Sequence, residues 1–485
     1  MAYRTGIPRD RTELVGVSST DGVNGDAARA GGPVMRLVMD GVPPEPPSLV
    51  EPEKSGSAAA EERDARVAWF RHARYGLFIH WGLYAVPAGN WKGVEYPEIG
   101  EWIMKWASIP VAEYRELATQ FRGERFDAEK IVSFARRAGM RYIVITTKHH
   151  DGFALFDSEV SSFNAVDASP AGRDFIRELS NACHAAAMPL GFYYSQSQDW
   201  SHPGGAVVRD EQWDDAQRGD FDAYLTEVAE PQVRELLTNY GPVALIWFDT
   251  PVHMSGERAT RFVDLVRTLQ PSCLINGRLR EDRAGFDYSS MRDNQAPDRG
   301  AGHAWETPAT LNDTWGYKAN DHNWKSADTV SFKLVDIVSK GGNYLLNIGP
   351  RADGSVPEAS AEILTKVGDW LLPRGEAIYG AGPTPYGEEL SGSGYFETDK
   401  HWKYRQPQGW RCTTQPGAYY FFLFGDHGAE FSTPGLPGAV DSVDLLTDAG
   451  PVALALSTAD SGVRFRLPSE GRSALGDVIR IRFRE

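Results

Sequence analysis

The stretch Lys148-His149-His150-Asp151-Gly152-Phe153 follows directly on the apolar run Tyr142-Ile143-Val144-Ile145. A strand that runs out into two adjacent histidines and an Asp-Gly turn is a poor choice for stability alone. Polar residues at strand ends that feed loops are where α/β barrels carry their chemistry. Four more segments share the pattern of an apolar run halted by polar or aromatic residues. They are Tyr75-Gly76-Leu77-Phe78-Ile79-His80-Trp81-Gly82, Leu190-Gly191-Phe192-Tyr193-Tyr194-Ser195, Val243-Ala244-Leu245-Ile246-Trp247-Phe248-Asp249 and Leu274-Ile275-Asn276-Gly277-Arg278. Together they aim several strand C-termini at one polar, aromatic-rich pocket.

Working outward, helix-like periodicity falls between these strands at Ala128–Ala138, Ala171–Ala187, Phe221–Asn239, Glu257–Leu269 and Ser331–Lys340. Phe286–Ser290 and Tyr344-Leu345-Leu346-Asn347-Ile348-Gly349-Pro350 complete the strand set. Repeated βα units predict an α/β fold, a (β/α)8-like (TIM-type) barrel over residues 61–375. The stretch 278–330 carries little helix signal, so loops are expected in place of one or two helices. After residue 375 short alternating runs appear: Tyr419–Phe424, Val440–Leu446, Val463–Leu467 and Val478–Phe483. They predict a C-terminal antiparallel β-sandwich over 376–485. Residues 1–60, rich in Gly, Pro, Ala and Ser, read as a disordered extension with room for a short strand at Val34–Val38.

The formal net charge of −16 argues against nucleic acid or an anionic membrane surface as partner, because both demand basic patches. A neutral substrate fits better. Fourteen Trp and 19 Tyr suit stacking on sugar C–H faces, although a large core alone accounts for most of them. Cys183, Cys273 and Cys412 are widely spaced and odd in number, which suggests no disulfide framework. No basic-then-apolar leader opens the sequence, so a cytoplasmic protein is the expectation.

Asp249 ends a continuous apolar strand and lies too far ahead of the next helix to cap it. It reads as a nucleophile, a base or a loop anchor. Glu306, in Ala304-Trp305-Glu306-Thr307-Pro308, is the preferred second carboxylate, with Asp293 and Asp298 competing in the same polar stretch. Two carboxylates across a pocket form the glycosidase arrangement. His80, His149 and His150 could ligate a metal, but no His-Glu-x-x-His element or Cys cluster supports one, and His149 and His150 face opposite ways on a regular strand. Hydrogen bonding to substrate hydroxyls is the better reading, so neither cofactor nor metal is expected. Gly341-Gly342-Asn343 precedes a strand, not a helix, and is no phosphate loop.

At these residues the sequence resembles the family-29 α-L-fucosidases. The markers are Phe78-Ile79-His80-Trp81-Gly82, Gly100-Glu101-Trp102, Lys148–Phe153, Tyr193-Tyr194-Ser195, Trp247-Phe248-Asp249 and Val335–Pro350, in order over roughly 66–380. The resemblance implies a retaining exo-hydrolase with a barrel and a β-sandwich. It makes Asp249 the nucleophile, and it places His80, Glu101, Trp102, His149, His150, Trp247 and Arg278 around the sugar. One tyrosine of the 193–194 pair, taken as Tyr193, joins them, with Trp315 near the C6 methyl. For the acid/base, the resemblance favours Glu306 of the Trp-Glu pair, with Asp293 in reserve.

The expected activity is therefore retaining, exo-acting hydrolysis of terminal α-L-fucosyl residues from fucosylated oligosaccharides or glycoconjugates by double displacement. A homo-oligomer is left open. A catalytically silent carbohydrate-binding protein on the same barrel, an α-L-galactosidase and a metal-dependent hydrolase are the alternatives.

Overall fold

The computed structural model describes residues 58–280, 286–387, 409–458 and 462–484. The extension expected over 1–60, with its strand at Val34–Val38, lies outside the described residues as far as residue 57.

Eight parallel strands form one sheet: β1 (Tyr75–Ile79), β2 (Ile143–Lys148), β3 (Leu190–Tyr194), β4 (Leu245–Phe248), β5 (Leu274–Ile275), β6 (Ser289–Ser290), β7 (Trp305–Ala309) and β8 (Asn343–Ile348). Their spatial order runs β5-β4-β3-β2-β1-β8-β7-β6. A lone parallel bridge between Asn276 and Tyr288, with Asp287 N–H donating to Ile275 O at 2.9 Å, joins the two ends into a ring. β1 to β4 and β8 are buried along their whole length. Helices cover them outside and side chains fill them inside, which is why they read as unbroken apolar runs.

Helix α1 (Ala58–Ala73) precedes the barrel, and α2 (Ala128–Arg137), α3 (Phe175–Ala185), α4 (Glu230–Asn239), α5 (Gly256–Leu269), α6 (Ala327–Ser339) and α7 (Glu358–Leu371) surround it. Asp127 and Asp174 cap α2 and α3 by accepting the Lys130 and Arg177 backbone N–H at 3.0 and 2.8 Å. Among the described residues no helix stands between β5 and β6 or between β6 and β7. The sequence predicts that gap but not the strand at Trp305–Ala309. Glu306, Thr307 and Pro308 break any apolar pattern, and β7 exists because β6 and β8 flank it.

α1 stops the N-terminal end of the barrel. Its Val67, Phe70 and Ala73 pack on inward-facing Phe78, Tyr142, Tyr193, Trp247 and Tyr288. The Phe70 ring lies 4.4 Å from Tyr288 and 5.6 Å from Tyr142, and Asn343 Nδ2 donates to Phe70 O at 2.7 Å.

The C-terminal strands are β9 (Gly409–Gln415), β10 (Ala418–Phe424), β11 (Glu430–Ser432), β12 (Val440–Thr447), β13 (Gly450–Ala453), β14 (Leu456–Thr458), β15 (Val463–Arg466) and β16 (Asp477–Phe483). They make two antiparallel sheets, β9-β10-β16-β12-β13 and β11-β15-β14, around Cys412, Phe421, Leu445, Phe465 and Ile479. The sandwich is tied to the barrel by Arg411 Nε on Asp336 Oδ1 at 2.6 Å and by Trp370 Nε1 donating to Gly476 O at 2.9 Å. Cys183, Cys273 and Cys412 are buried and form no disulfide. No helix among the described residues is long and apolar enough to cross a membrane.

Candidate active site

Asp249 leaves the C-terminal end of β4 with both carboxylate oxygens engaged. Tyr193 Oη, from β3, donates to Oδ2 at 2.9 Å, and Arg278 Nη1, beyond β5, donates to Oδ1 at 3.1 Å. Gln196 Oε1 accepts the Asp249 backbone N–H at 2.9 Å. The next residue, Thr250, is left-handed (φ 42°), and Ser197 Oγ donates to its carbonyl at 2.7 Å. Tyr194 turns the other way and donates to Gln232 at 2.8 Å. The period-two alternation of a strand thus delivers Tyr193, not its neighbour, to the site.

Arg278 links a second carboxylate. Its Nη2 donates to Asp293 Oδ1 and to Met291 O, each at 2.6 Å. Burial opposes the guanidinium charge, but Asp293 and Asp249 outweigh it and hold its pKa above the usual value. The Asp249 and Arg278 side chains keep 14% of their surface open, whereas Asp293 keeps 48%. Asp249 is therefore the more enclosed carboxylate and Asp293 the more open one.

His80 Nδ1 is 2.8 Å from Asn347 Oδ1, and Asn347 Nδ2 donates to Trp315 O at 2.7 Å. The amide orientation this implies makes His80 Nδ1 the donor and leaves Nε2 as an acceptor. His150 follows the same logic. Ser195 Oγ gives its proton to Gln198 O at 2.7 Å, so at 2.6 Å from His150 Nδ1 it accepts, and His150 Nε2 is left as a lone pair facing Asp249 Oδ2 at 3.7 Å. Burial lowers both imidazoles to about 3, so they stay neutral. His149 stacks on Tyr193 with centroids 5.3 Å apart, and burial lowers it well below the usual value.

Glu101 arrives on the loop after β1. Its Oε2 accepts from Gly316 N, Thr314 Oγ1 and Trp315 N at 2.9, 3.1 and 3.2 Å, yet burial still pushes it up to about 7. Glu101 Oε1 and His149 Nδ1 make no hydrogen bond among the described residues. Buried polar atoms are seldom left so, and a polyhydroxylated ligand would satisfy them. Trp102 packs edge-on to His150 at 5.4 Å, Trp315 lies 5.0 Å from His80, and Trp247 stacks on Tyr193 at 5.5 Å. The structure thus gathers His80, Glu101, Trp102, His149, His150, Tyr193, Trp247, Arg278 and Trp315 around Asp249.

Glu306, expected as the acid/base, stands apart from them and makes no hydrogen bond or ion pair with Asp249 or Arg278 among the described residues, whereas Asp293, the reserve, shares Arg278 with Asp249. Glu306 lies on β7 inside the barrel, fully buried. Trp247 Nε1 donates to its Oε1 at 2.6 Å and Tyr142 Oη to its Oε2 at 3.4 Å. Its Oε1 is thus occupied by the Trp247 indole N–H. Burial pushes its carboxyl up to about 7.

Lys148 and Asp151 of the opening motif build the frame. Lys148 Nζ pairs with Asp199 at 2.7 Å, both side chains fully buried. Tyr114 donates to Asp151 at 2.8 Å, and Gly152 (φ 83°) turns the chain where a Cβ would strike Asp199. Among the described residues no group of three or more His, Cys, Asp or Glu is placed to hold a metal ion. Asn347, Gln196 and Ser195, which orient His80, Asp249 and His150, are not among the site residues expected from the sequence, although Ser195 and Asn347 stand in its quoted strand segments. An Asn inside the otherwise apolar Tyr344–Ile348 run is the one signal that points to any of them.

Comparison with known proteins matches residues 50–376 to the family model described as Alpha-L-fucosidase. The plasma alpha-L-fucosidase of Homo sapiens is 32% identical over 343 residues, covering 66% of this chain and 71% of that protein. Among solved structures, alpha-L-fucosidase isoenzyme 1 of Paenibacillus thiaminolyticus superposes with a TM-score of 0.75 at 34% identity, over 87% of this chain and 100% of that one. The alpha-L-fucosidase of Vibrio sp. strain EJY3 gives 0.77 at 30% identity, over 87% and 73%.

Proposed function

Because the chain belongs to the α-L-fucosidase family and is a glycoside hydrolase, we propose that it releases terminal α-L-fucosyl residues from glycans with retention of configuration. Asp249 is the nucleophile and Asp293 the acid/base. The observation that carries this reading is the Arg278 guanidinium, which holds both carboxylates at the mouth of the barrel. A sugar seated on the aromatic floor would lie with its anomeric carbon before Asp249 and its glycosidic oxygen toward the rim.

In the first step Asp249 attacks the anomeric carbon, the glycosidic C–O bond breaks, and the departing oxygen takes the Asp293 proton. In the second, Asp293 takes a proton from water, the water oxygen attacks the same carbon, and Asp249 leaves with its electron pair. The His80 and His150 Nε2 lone pairs and Glu101 Oε1 accept hydrogen bonds from sugar hydroxyls. Trp315 and Trp247 cover the methyl and the C–H surface. A site that satisfies hydroxyls in this way rejects sugars lacking them. The enclosure of Asp249 favours a chain end over an internal residue.

The test is NMR of an aryl α-L-fucoside during turnover. The α-anomer of free fucose should appear first and mutarotate later. Appearance of the β-anomer first would replace double displacement by a single inversion.

A further inference from the structure

A carboxyl in the middle of a barrel floor, its Oε1 occupied by an indole N–H, calls for a reason. An indole N–H in a core needs only some acceptor, and an amide or a hydroxyl serves at less desolvation cost than an acid. The surroundings of Trp247 supply the reason. Its Nε1 donates to Glu306 Oε1 at 2.6 Å. One ring neighbour is Tyr193, stacked at 5.5 Å and 18°. Another is the Arg278 guanidinium, 4.8 Å from the ring centroid. Those two residues are the donors to the two oxygens of Asp249. One indole therefore underlies both donors that orient the nucleophile, and one carboxyl fixes the indole from below.

We propose that Glu306 is a positioning residue: its Oε1 pins the Trp247 indole, and through it Tyr193 and Arg278, in the orientation at which both donate to Asp249. This rests on Asp249 being the nucleophile. Glu306 is anchored in turn from the closed end of the barrel, where Tyr142 faces it and packs on Phe70 of α1. Without the carboxyl the indole gains freedom to tilt, its two neighbours lose their common support, and the carboxylate leaves its line of attack. Misplacement by about 1 Å costs on the order of 10²-fold in rate.

The experiment uses the full chain with Glu306→Ala, Glu306→Gln, Trp247→Phe and the Glu306→Ala/Trp247→Phe double variant. Each is assayed on aryl α-L-fucosides of graded leaving-group basicity, with and without azide, after thermal unfolding and near-UV circular dichroism. Glu306→Ala should lower kcat by on the order of 10²-fold, equally for good and poor leaving groups and with no response to azide. Glu306→Gln, whose side-chain oxygen accepts the same N–H, should recover to within about tenfold of wild type. The double variant should be no worse than the worse single one, because both break the same contact.

A loss that grows with leaving-group basicity, relieved by azide with formation of α-fucosyl azide, would make Glu306 the acid/base and overturn the proposal. So would a Gln variant as impaired as Ala, or additive losses in the double variant. If Glu306→Ala does not fold, the cycle of Glu306→Gln with Trp247→Phe decides the same question through additivity. Retention of activity by Asp249→Gly marks failure of the nucleophile assignment instead, whatever the Glu306 variants do.

Discussion

Asp249 and Asp293 are held by two nitrogens of one guanidinium: Arg278 Nη1 lies 3.1 Å from Asp249 Oδ1 and Nη2 2.6 Å from Asp293 Oδ1. The two carboxylates therefore share one positive charge. When Asp249 spends its charge in a bond to carbon, the guanidinium is left to Asp293 alone. The same guanidinium thus spans the carboxylate that attacks carbon and the one proposed to serve as acid and base.

Replacing Asp249 by Gly should abolish turnover of aryl α-L-fucosides in a folded protein. Azide should restore part of it and yield β-fucosyl azide, since a small anion fits the space of the lost carboxylate. Substantial activity without azide would remove Asp249 from the role.

Asp293→Ala should fall hardest on basic leaving groups, with losses on the order of 10²–10⁴-fold for a natural fucoside and smaller ones for an activated nitrophenyl fucoside. With azide the product should be α-fucosyl azide, opposite in configuration to the Asp249→Gly rescue. A uniform loss across leaving groups would count against Asp293.

Arg278→Lys keeps the charge but loses the fork, so one ammonium cannot hold both carboxylates in the same geometry. We expect kcat on an aryl α-L-fucoside to drop by at least tenfold. A variant with wild-type kcat would show that catalysis does not need one fork to hold both carboxylates.

The Glu306 carboxyl is raised from near 4.5 to about 7 in the folded protein, mainly by burial. Between those values the folded state binds more protons than the unfolded one, so this group lowers stability as pH rises. The full effect corresponds to ~3 kcal/mol. Glu306→Gln removes it. The stability of Glu306→Gln minus that of wild type should therefore grow between pH 4.5 and 8, measured by urea unfolding. Glu101 and Asp151, raised the same way to about 7, keep some of the slope in both proteins. Parallel curves would contradict a buried, protonated Glu306.

The sequence spoke plainly where burial leaves a simple trace. Strands covered on both faces appear as apolar runs, and the polar residues that stop them, His80, His149 and Asp249, mark the mouth of the barrel. It could not separate Glu306 from Asp293. Two carboxylates thirteen positions apart look alike in one dimension, and what separates them is the inward face of β7, a strand whose own residues do not announce it. Tyr193 could be told from Tyr194 only by strand register. The hydrogen-bond partners of the histidines belong to other strands, so no local pattern contains them.

Among the described residues the arc from β5 to β7 has no covering helix and contains the two-residue strands β5 and β6; it also bears Arg278 and Asp293, whereas Tyr193 stands on β3 and Asp249 directly after β4, both longer and helix-backed. The ring therefore has a helix-backed half and a loop-backed half, and one guanidinium ties Asp249 on the first to Asp293 on the second. A change in the loop-backed arc is then felt at the nucleophile through Arg278, so the two halves cannot vary independently.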